Sequence, residues 1–224
     1  MNHKNIFITG TDTGVGKTFI SSLIIFNLIR EGIFPGYIKP IETGLGNSLI
    51  PVDYNFVKNL NPGILTEVKD AVPFRFKYPL SPYDAAIKER KKIEIDELLN
   101  SIKKIIGSYE YNVIEGAGGV YVPITESITM LDLIKLLDIP VLVVGRCGLG
   151  TINHTCLTIN ALLLKKIQVN SFILNGKNYN KSKSNAINIE RITGVKCSGL
   201  IPFIKKKDCS VFSEINIKIE EIFK

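Results

Sequence analysis

The residue types and spacing that handle triphosphates stand together in Ile8-Thr9-Gly10-Thr11-Asp12-Thr13-Gly14-Val15-Gly16-Lys17-Thr18. A glycine-rich turn aims backbone N–H groups at an anion, and a helix that begins there adds its positive end. Lys17 reaches the outer phosphates, and Thr18 offers a hydroxyl to Mg²⁺. Five residues separate Gly10 from Gly16 where the common motif has four, so this loop is one residue wider. An apolar run precedes the loop and an amphipathic stretch follows it, the context the mechanism requires. The chain reads as one that handles a nucleoside triphosphate.

A triphosphate with Mg²⁺ needs a second anchor, usually an acid closing a neighbouring strand. Glu115 closes the run Tyr111-Asn-Val-Ile and precedes Gly116-Ala117-Gly118-Gly119, where backbone can approach a ligand. Asp53 reads equally as a further Mg²⁺ ligand or as an acid at a helix start. Lys39-Pro40 falls at the carboxyl end of a strand, the edge where open α/β sheets bind ligands. Thr43 and Gly44 follow in a small, polar loop. Gly148-Leu149-Gly150-Thr151-Ile152-Asn153 forms another turn between strand and helix, whose N–H groups suit a carboxylate or a phosphate. His3 and His154 are too isolated to argue for a metal. The four cysteines show no paired metal or redox spacing and read as buried or incidental thiols.

The elements that must position these residues alternate along the chain, the mark of a parallel sheet covered by helices on both faces. Strands are expected over 5–9, 36–39, 111–115, 140–145, 169–174 and 195–201. Helices are expected over 17–30, 53–60, 96–106, 129–137, 151–164, 182–193 and 215–223. Gly32 stops the first helix, and Thr129 with Asp132 has capping-box spacing, Asp replacing the usual Glu. Residues 61–92 carry prolines and aromatics with little periodicity and read as a long excursion of the kind that carries function. No internal repeat or linker interrupts the pattern, so residues 1–224 read as a single domain.

The chain is long enough to bury a core without disulfide or metal staples: it has 224 residues, 45% hydrophobic and 22% charged. No apolar run approaches a bilayer-spanning length, and the N-terminus runs almost straight into a strand without a leader, so a cytoplasmic protein is expected. The net charge of +7 invites a nucleic-acid partner. The lysines are scattered, however, and the clusters at 88–92 and 205–207 lack interleaved aromatics, so a solvated basic surface is the reading.

Taken together, the motifs resemble the dethiobiotin synthetase family along nearly the whole chain. The resemblance rests on Gly10-Thr-Asp-Thr-Gly-Val-Gly-Lys-Thr18, Tyr37-Ile-Lys-Pro-Ile-Glu-Thr-Gly44, Ser81-Pro82, Val113-Ile-Glu-Gly-Ala-Gly-Gly119, Gly148-Leu-Gly-Thr-Ile-Asn-His154, Leu174-Asn175 and Ile201-Pro202. It implies an α/β, P-loop NTPase-like fold with a mainly parallel sheet. It also implies that ATP phosphates lie on Thr13, Gly14, Val15, Gly16, Lys17 and Thr18, with Mg²⁺ held by Thr18, Asp53 and Glu115. Gly116, Ala117 and Gly118 belong to the same nucleotide site. Lys39 corresponds to the active-site lysine, with Lys17 beside it in catalysis, and Thr43 and Ser81 fall at substrate positions. Asn175, with Gly176, matches the residue that recognises adenine, and the segment after Pro202 closes over the base. Gly148, Leu149, Gly150, Thr151 and Asn153 match a turn that binds the substrate carboxylate from the neighbouring subunit, so a homodimer is implied. Gly14 departs from the pattern, since that loop position is often Glu.

The implied reaction is ATP-dependent carboxylation of 7,8-diaminononanoate by CO₂ or bicarbonate and closure of a cyclic urea. The implied route runs through a carbamate and a carbamic–phosphoric anhydride. Lys17, Lys39 and Mg²⁺ would offset charge on the transferred phosphoryl group, and holding two amines adjacent favours ring closure. A partitioning-type ATPase switch is the rival; it carries a signature lysine where this chain has Asp12. A GTP-dependent maturation factor lacks its acid after Asn175-Gly-Lys-Asn178, and a cobyrinate-type amidoligase lacks room for its glutamine-hydrolysing domain.

Overall fold

The computed structural model describes residues 4–177, 179, 182–205 and 209–224. His3, Lys206 and Lys207 lie outside the described residues, as does part of the segment after Pro202.

Six strands form one sheet in the order β2-β5-β1-β6-β7-β8, with every pairing parallel. They are β1 (Lys4–Gly10), β2 (Gly36–Ile38), β5 (Tyr111–Gly119), β6 (Val141–Arg146), β7 (Val169–Gly176) and β8 (Lys196–Pro202). The central strands are apolar almost without alternation because both of their faces are covered. In β1, Ile6 and Ile8 point to one face and Phe7 to the other, and two cores follow from that alternation.

Against the Ile6 face pack α1 (Lys17–Arg30), α2 (Val52–Leu60) and the C-terminal Phe212 and Ile222. Against the Phe7 face pack α5 (Ile95–Ile106), α6 (Met130–Leu137), α7 (Thr151–Leu164) and α8 (Ser182–Thr193). Helices therefore cover both faces. Among the described residues no helix is long and apolar enough to cross a membrane.

Local signals set the ends of these elements. Gly32 adopts φ +78° beyond α1, where its N–H donates to Ile29 O and the Ile33 N–H donates to Leu28 O, the Schellman arrangement that closes a helix. Thr129 caps α6: its hydroxyl accepts from Asp132 N, while Asp132 Oδ2 accepts from Thr129 N at 3.0 Å.

Three segments differ from the sequence expectation. β5 continues past Glu115 to Gly119, so the glycine run is strand rather than loop. A Cβ at Gly116 would stand 2.8 Å from the Phe7 ring, and one at Gly119 would stand 3.3 Å from Gly10 O. These glycines therefore let β5 lie close against β1. The 61–92 excursion contains α3 (Val68–Ala71), β4 (Phe74–Arg75) and α4 (Pro82–Lys88), and β4 pairs with β3 (Ile41–Glu42) in a second, two-stranded sheet. The closing helix shrinks to one turn, α10 (Ile219–Ile222), after the short α9 (Cys209–Phe212). Ile215 and Ile217 are spaced by two through the non-helical chain that precedes α10, and Lys218 N donates to Ser198 O of β8.

Candidate active site

The chain leaves the carboxyl end of β1 and turns over itself before α1. A Cβ at Gly10 would meet Val15 Cγ2 at 2.8 Å and Asp12 O at 2.9 Å, so the turn closes tightly only over glycine. Gly14 (φ +75°) and Gly16 (φ +99°) carry the backbone through the left-handed region. Gly16 caps α1 without a side chain, which leaves the first-turn N–H groups directed outward. Asp12 braces the loop: Oδ1 accepts from Thr13 N at 2.7 Å, Oδ2 pairs with Arg146 Nη2 at 2.6 Å, and its carbonyl accepts from Lys17 Nζ at 3.4 Å. From β7, Asn175 Nδ2 donates to Val15 O at 2.9 Å.

Beneath the loop lies a carboxylate with four donors. Glu115 is fully buried. Its Oε1 accepts from Thr18 Oγ1 and Lys39 Nζ, both at 2.8 Å. Its Oε2 accepts from Ser21 Oγ at 2.8 Å and Tyr37 OH at 2.9 Å. Lys39 Nζ also lies 2.6 Å from Asp53 Oδ2 on α2.

The electrostatics follow from burial and these pairs. Burial opposes the Lys39 charge, but the Glu115 and Asp53 carboxylates outweigh it and raise its pKa above the ordinary lysine value. Lys17 is pushed down to about 8, by burial first and by the Lys39 charge second. Burial works against the Asp53 carboxylate, yet Lys39 and the Thr18 hydroxyl hold its pKa below the usual range. Burial pushes the Glu42 carboxyl up. Burial, with Glu115 alongside, drives the Tyr37 phenol well above its usual value.

Two cavities open on either side of the loop. The first, about 510 Å³, is walled by Lys17, Thr18, Lys39, Thr43, Asp53 and Glu115 among others. The second, about 370 Å³, is walled by Val15, Asn175, Gly176 and Pro202 together with Arg146 and Phe203. Thr13, Gly14, Gly16 and Phe19 border both, so the loop and the start of α1 separate two adjoining compartments. The first compartment brings lysines and carboxylates together, whereas the second has the cations Arg146 and Lys177 beside the Asn175 amide and Phe203, with no carboxylate in its wall. The Asp53 and Glu115 carboxylates converge at Lys39 and the Thr18 hydroxyl lies on Glu115, and an all-oxygen donor set of that kind suits a hard cation such as Mg²⁺.

Residues 4–208 match the family model described as an AAA domain. The chain is 39% identical over 200 residues to the ATP-dependent dethiobiotin synthetase BioD of Endomicrobium trichonymphae, covering 86% of this chain and 90% of that one. It is 43% identical over 175 residues to the enzyme of that name from Methanocaldococcus jannaschii, covering 76% and 78%. The chain belongs to the ATP-dependent dethiobiotin synthetase family. Among solved structures, the MinD cell division protein of Aquifex aeolicus superposes with a TM-score of 0.54 at 18% identity, covering 94% of this chain and 86% of that chain. The MinC:MinD complex from the same organism gives 0.58 at 20% identity, covering 91% and 83%. These likenesses concern the fold alone.

Within this member of the dethiobiotin synthetase family, the structure separates the residues singled out by sequence into groups. Lys17, Thr18, Lys39, Thr43, Asp53, Glu115, Ala117 and Gly118 face the first cavity, and Val15, Asn175, Gly176 and Pro202 face the second. Gly116 faces neither and packs on Phe7. Ser81 caps α4, accepting from Asp84 N at 3.2 Å and donating to Asp84 Oδ2 at 2.6 Å. Gly148, Leu149, Gly150, Thr151 and Asn153 stand apart from both cavities, with Leu149 and Asn153 exposed.

Sequence reasoning missed Ser21, Tyr37, Glu42 and Arg146. Two of these had a readable signal. Ser21 falls one helical turn beyond Thr18, and Tyr37 falls two residues before Lys39 on the same strand face.

Proposed function

We propose that this chain uses ATP and Mg²⁺ to carboxylate 7,8-diaminononanoate with CO₂ and close the product into dethiobiotin, releasing ADP and phosphate. The observation that carries the reading is the single cavity where Lys17, Lys39 and Glu115 meet at the phosphate loop. The triphosphate lies on the loop N–H groups and the start of α1, with Lys17 on its outer phosphates. Thr18, Asp53 and Glu115 would hold Mg²⁺, which neutralises charge on the phosphate oxygens.

One amine of the substrate adds to CO₂ and loses a proton to give a carbamate. The Lys39 ammonium, held cationic by two carboxylates, stabilises that anion and brings it to the γ-phosphate. A carbamate oxygen attacks phosphorus and ADP leaves, giving the carbamic–phosphoric anhydride. The second amine attacks the carbonyl carbon, phosphate leaves with the transferred oxygen, and a proton is lost as the five-membered urea closes. Lys17 and Lys39 counter the charge on the phosphoryl group in transit. The cavity walls keep the second amine adjacent, which converts ring closure into an intramolecular step.

The turn at Gly148, Leu149, Gly150, Thr151 and Asn153 is assigned to the carboxylate of substrate bound in a second copy of the chain. Its support is that it lies outside both cavities, with Leu149 fully exposed and Gly150 opening α7 without a side-chain cap. On this reading the active enzyme is a homodimer. Cys147, Cys156 and Cys197 are free thiols, which suits the reducing cytoplasm as the compartment. Asn175 is assigned to the base, with the chain beyond Pro202 covering it.

The test is incubation with ATP, Mg²⁺, bicarbonate and the diamine, followed by mass spectrometry. The cyclic urea should appear with ADP in equal amount. ATP hydrolysis that ignores the diamine would instead favour an ATPase switch.

A further inference from the structure

Three carboxyl groups wall the cavity that holds Lys17 and Lys39: Asp53, Glu115 and Glu42. Glu115 receives four side-chain donors, and Asp53 is paired to Lys39. Glu42 is different. It is 4% exposed, its Oε1 accepts from Asp53 N at 2.8 Å, and its Oε2 is buried with no hydrogen-bond partner among the described residues. A buried carboxyl oxygen without a donor is costly, and such groups in folded proteins call for a function or a ligand.

The backbone that carries this side chain is fixed. Glu42 pairs with Arg75 in the β3–β4 sheet, and its carbonyl accepts from Phe76 N at 3.0 Å. Its neighbours on the cavity wall, Ile41, Val52 and Phe56, supply an apolar track beside it. The acid of the phosphate loop, Asp12, is turned to Arg146 and Thr13 N and is not among the residues that wall this cavity.

The charge pattern poses a problem for a diamine. Lys17 and Lys39 repel an ammonium group, while Glu115 and Asp53 are engaged with Lys39 and the loop hydroxyl. Of the three, Glu42 is the one with neither an ion pair nor a side-chain donor among the described residues, its second oxygen being left without a partner. We propose that Glu42 binds one amino group of the diamine substrate, accepting its N–H at the free carboxyl oxygen while the other oxygen stays on the Asp53 N–H. That oxygen has almost no exposed surface, so binding requires the carboxyl to turn part-way about its broad terminal torsion until the oxygen faces the cavity. The aliphatic chain then runs along Ile41, Val52 and Phe56, and the amine is held beside the Lys39 ammonium. Glu42 is thereby a specificity residue for diamine over monoamine, and the assignment rests on the diamine reading above.

The experiment is calorimetric binding of 7,8-diaminononanoate, 7-aminononanoate, 8-aminononanoate and ATP–Mg²⁺ to the wild-type chain and to Glu42→Gln. The amide keeps the shape and the acceptor for Asp53 N but removes the charge. The variant should bind the diamine about tenfold or more weakly, the scale of one charge-assisted hydrogen bond. One monoamine should weaken by the same factor and the other should not, with the Kd for ATP unchanged. Unchanged diamine and monoamine affinities overturn the proposal. Equal weakening of ATP and diamine overturns it too, because Glu42 then only seats the start of α2. If the amide fails to fold, Glu42→Asp, which withdraws the charge by one methylene, is read by the same criteria. A wild-type chain that binds ATP but no diamine overturns the functional reading itself, an outcome separable from the others.

Discussion

The Lys39 ammonium lies 2.8 Å from Glu115 Oε1, and the acid is wholly withdrawn from water. A buried carboxylate is tolerated only with charge and donors around it, so this pair is structural and chemical at once. Lys39→Gln keeps a donor but removes the cation. Turnover should fall about 10²–10³-fold, the scale seen when one preorganised group facing a developing anion is removed. ATP should still bind, because the loop N–H groups and Lys17 remain. Nucleotide affinity measured beside kcat separates the two effects; a parallel loss of both would show that Lys39 serves binding instead.

Tyr37→Phe removes one of the four donors to Glu115 while keeping the ring in the core. The remaining acceptor oxygen is left short of a partner, and chemical denaturation should show a loss of about 1–3 kcal/mol. A variant as stable as the wild type would show that Ser21 alone satisfies Oε2.

Gly16→Ala places a Cβ against Asn175 Nδ2 at a residue with φ +99°. The loop and the side chain assigned to the base are then forced apart together. Nucleotide affinity should drop by at least about tenfold, whereas Gly32→Ala, which has open space beyond α1, should cost stability through its positive φ and leave affinity intact. Equilibrium binding by both variants checks this contrast.

Asp132 is held below the usual carboxylate range by the Thr129 hydroxyl and then the Thr129 N–H. Because the folded-state value is depressed, the stabilisation is present above the unfolded value near ~3.9 and fades as pH falls through the folded value. Thr129→Ala should cost about 1 kcal/mol at neutral pH. The deficit of Asp132→Asn should shrink in melts taken below about pH 4.

Cys197 lies beside Gly199 O, and burial pushes its thiol up to about 11. The thiolate is the reactive form, so iodoacetamide at pH 8 should leave Cys197 unmodified in the folded chain, with labelling rising only as pH nears that value. Peptide mass spectrometry reads the site directly. Prompt labelling at pH 8 would contradict the raised thiol value.

Much of this architecture was legible because its signals are local. The loop from Gly10 to Thr18 announces a strand, a turn and a helix in one sentence of sequence, and Gly32 and Thr129 mark helix ends by chemistry that acts within a few residues. What escaped depends on distant pairing. Gly116 and Gly119 read as places where backbone approaches a ligand, but they are strand residues thinned so that β5 can approach Phe7 and Gly10. The two-residue strands Ile41–Glu42 and Phe74–Arg75 exist only because they pair with each other, and no window of sequence contains both. Ile215 and Ile217 were mistaken for part of the closing helix, which begins only at Ile219, although their spacing of two was in plain view. Glu42 sat inside a motif already quoted, and only its burial and free oxygen distinguish it.

The central claim is that a carbamate formed from CO₂ takes the γ-phosphoryl group in the cavity between Lys17, Lys39 and Glu115. Its most direct test supplies the chain with ATP, Mg²⁺, the diamine and ¹⁸O-labelled bicarbonate, and measures isotope in the released phosphate over a time shorter than exchange with water. The account predicts one labelled oxygen in each phosphate released with the cyclic urea, because the carbamate oxygen departs on phosphorus. Phosphate carrying no label beyond exchange, with turnover intact, would contradict it.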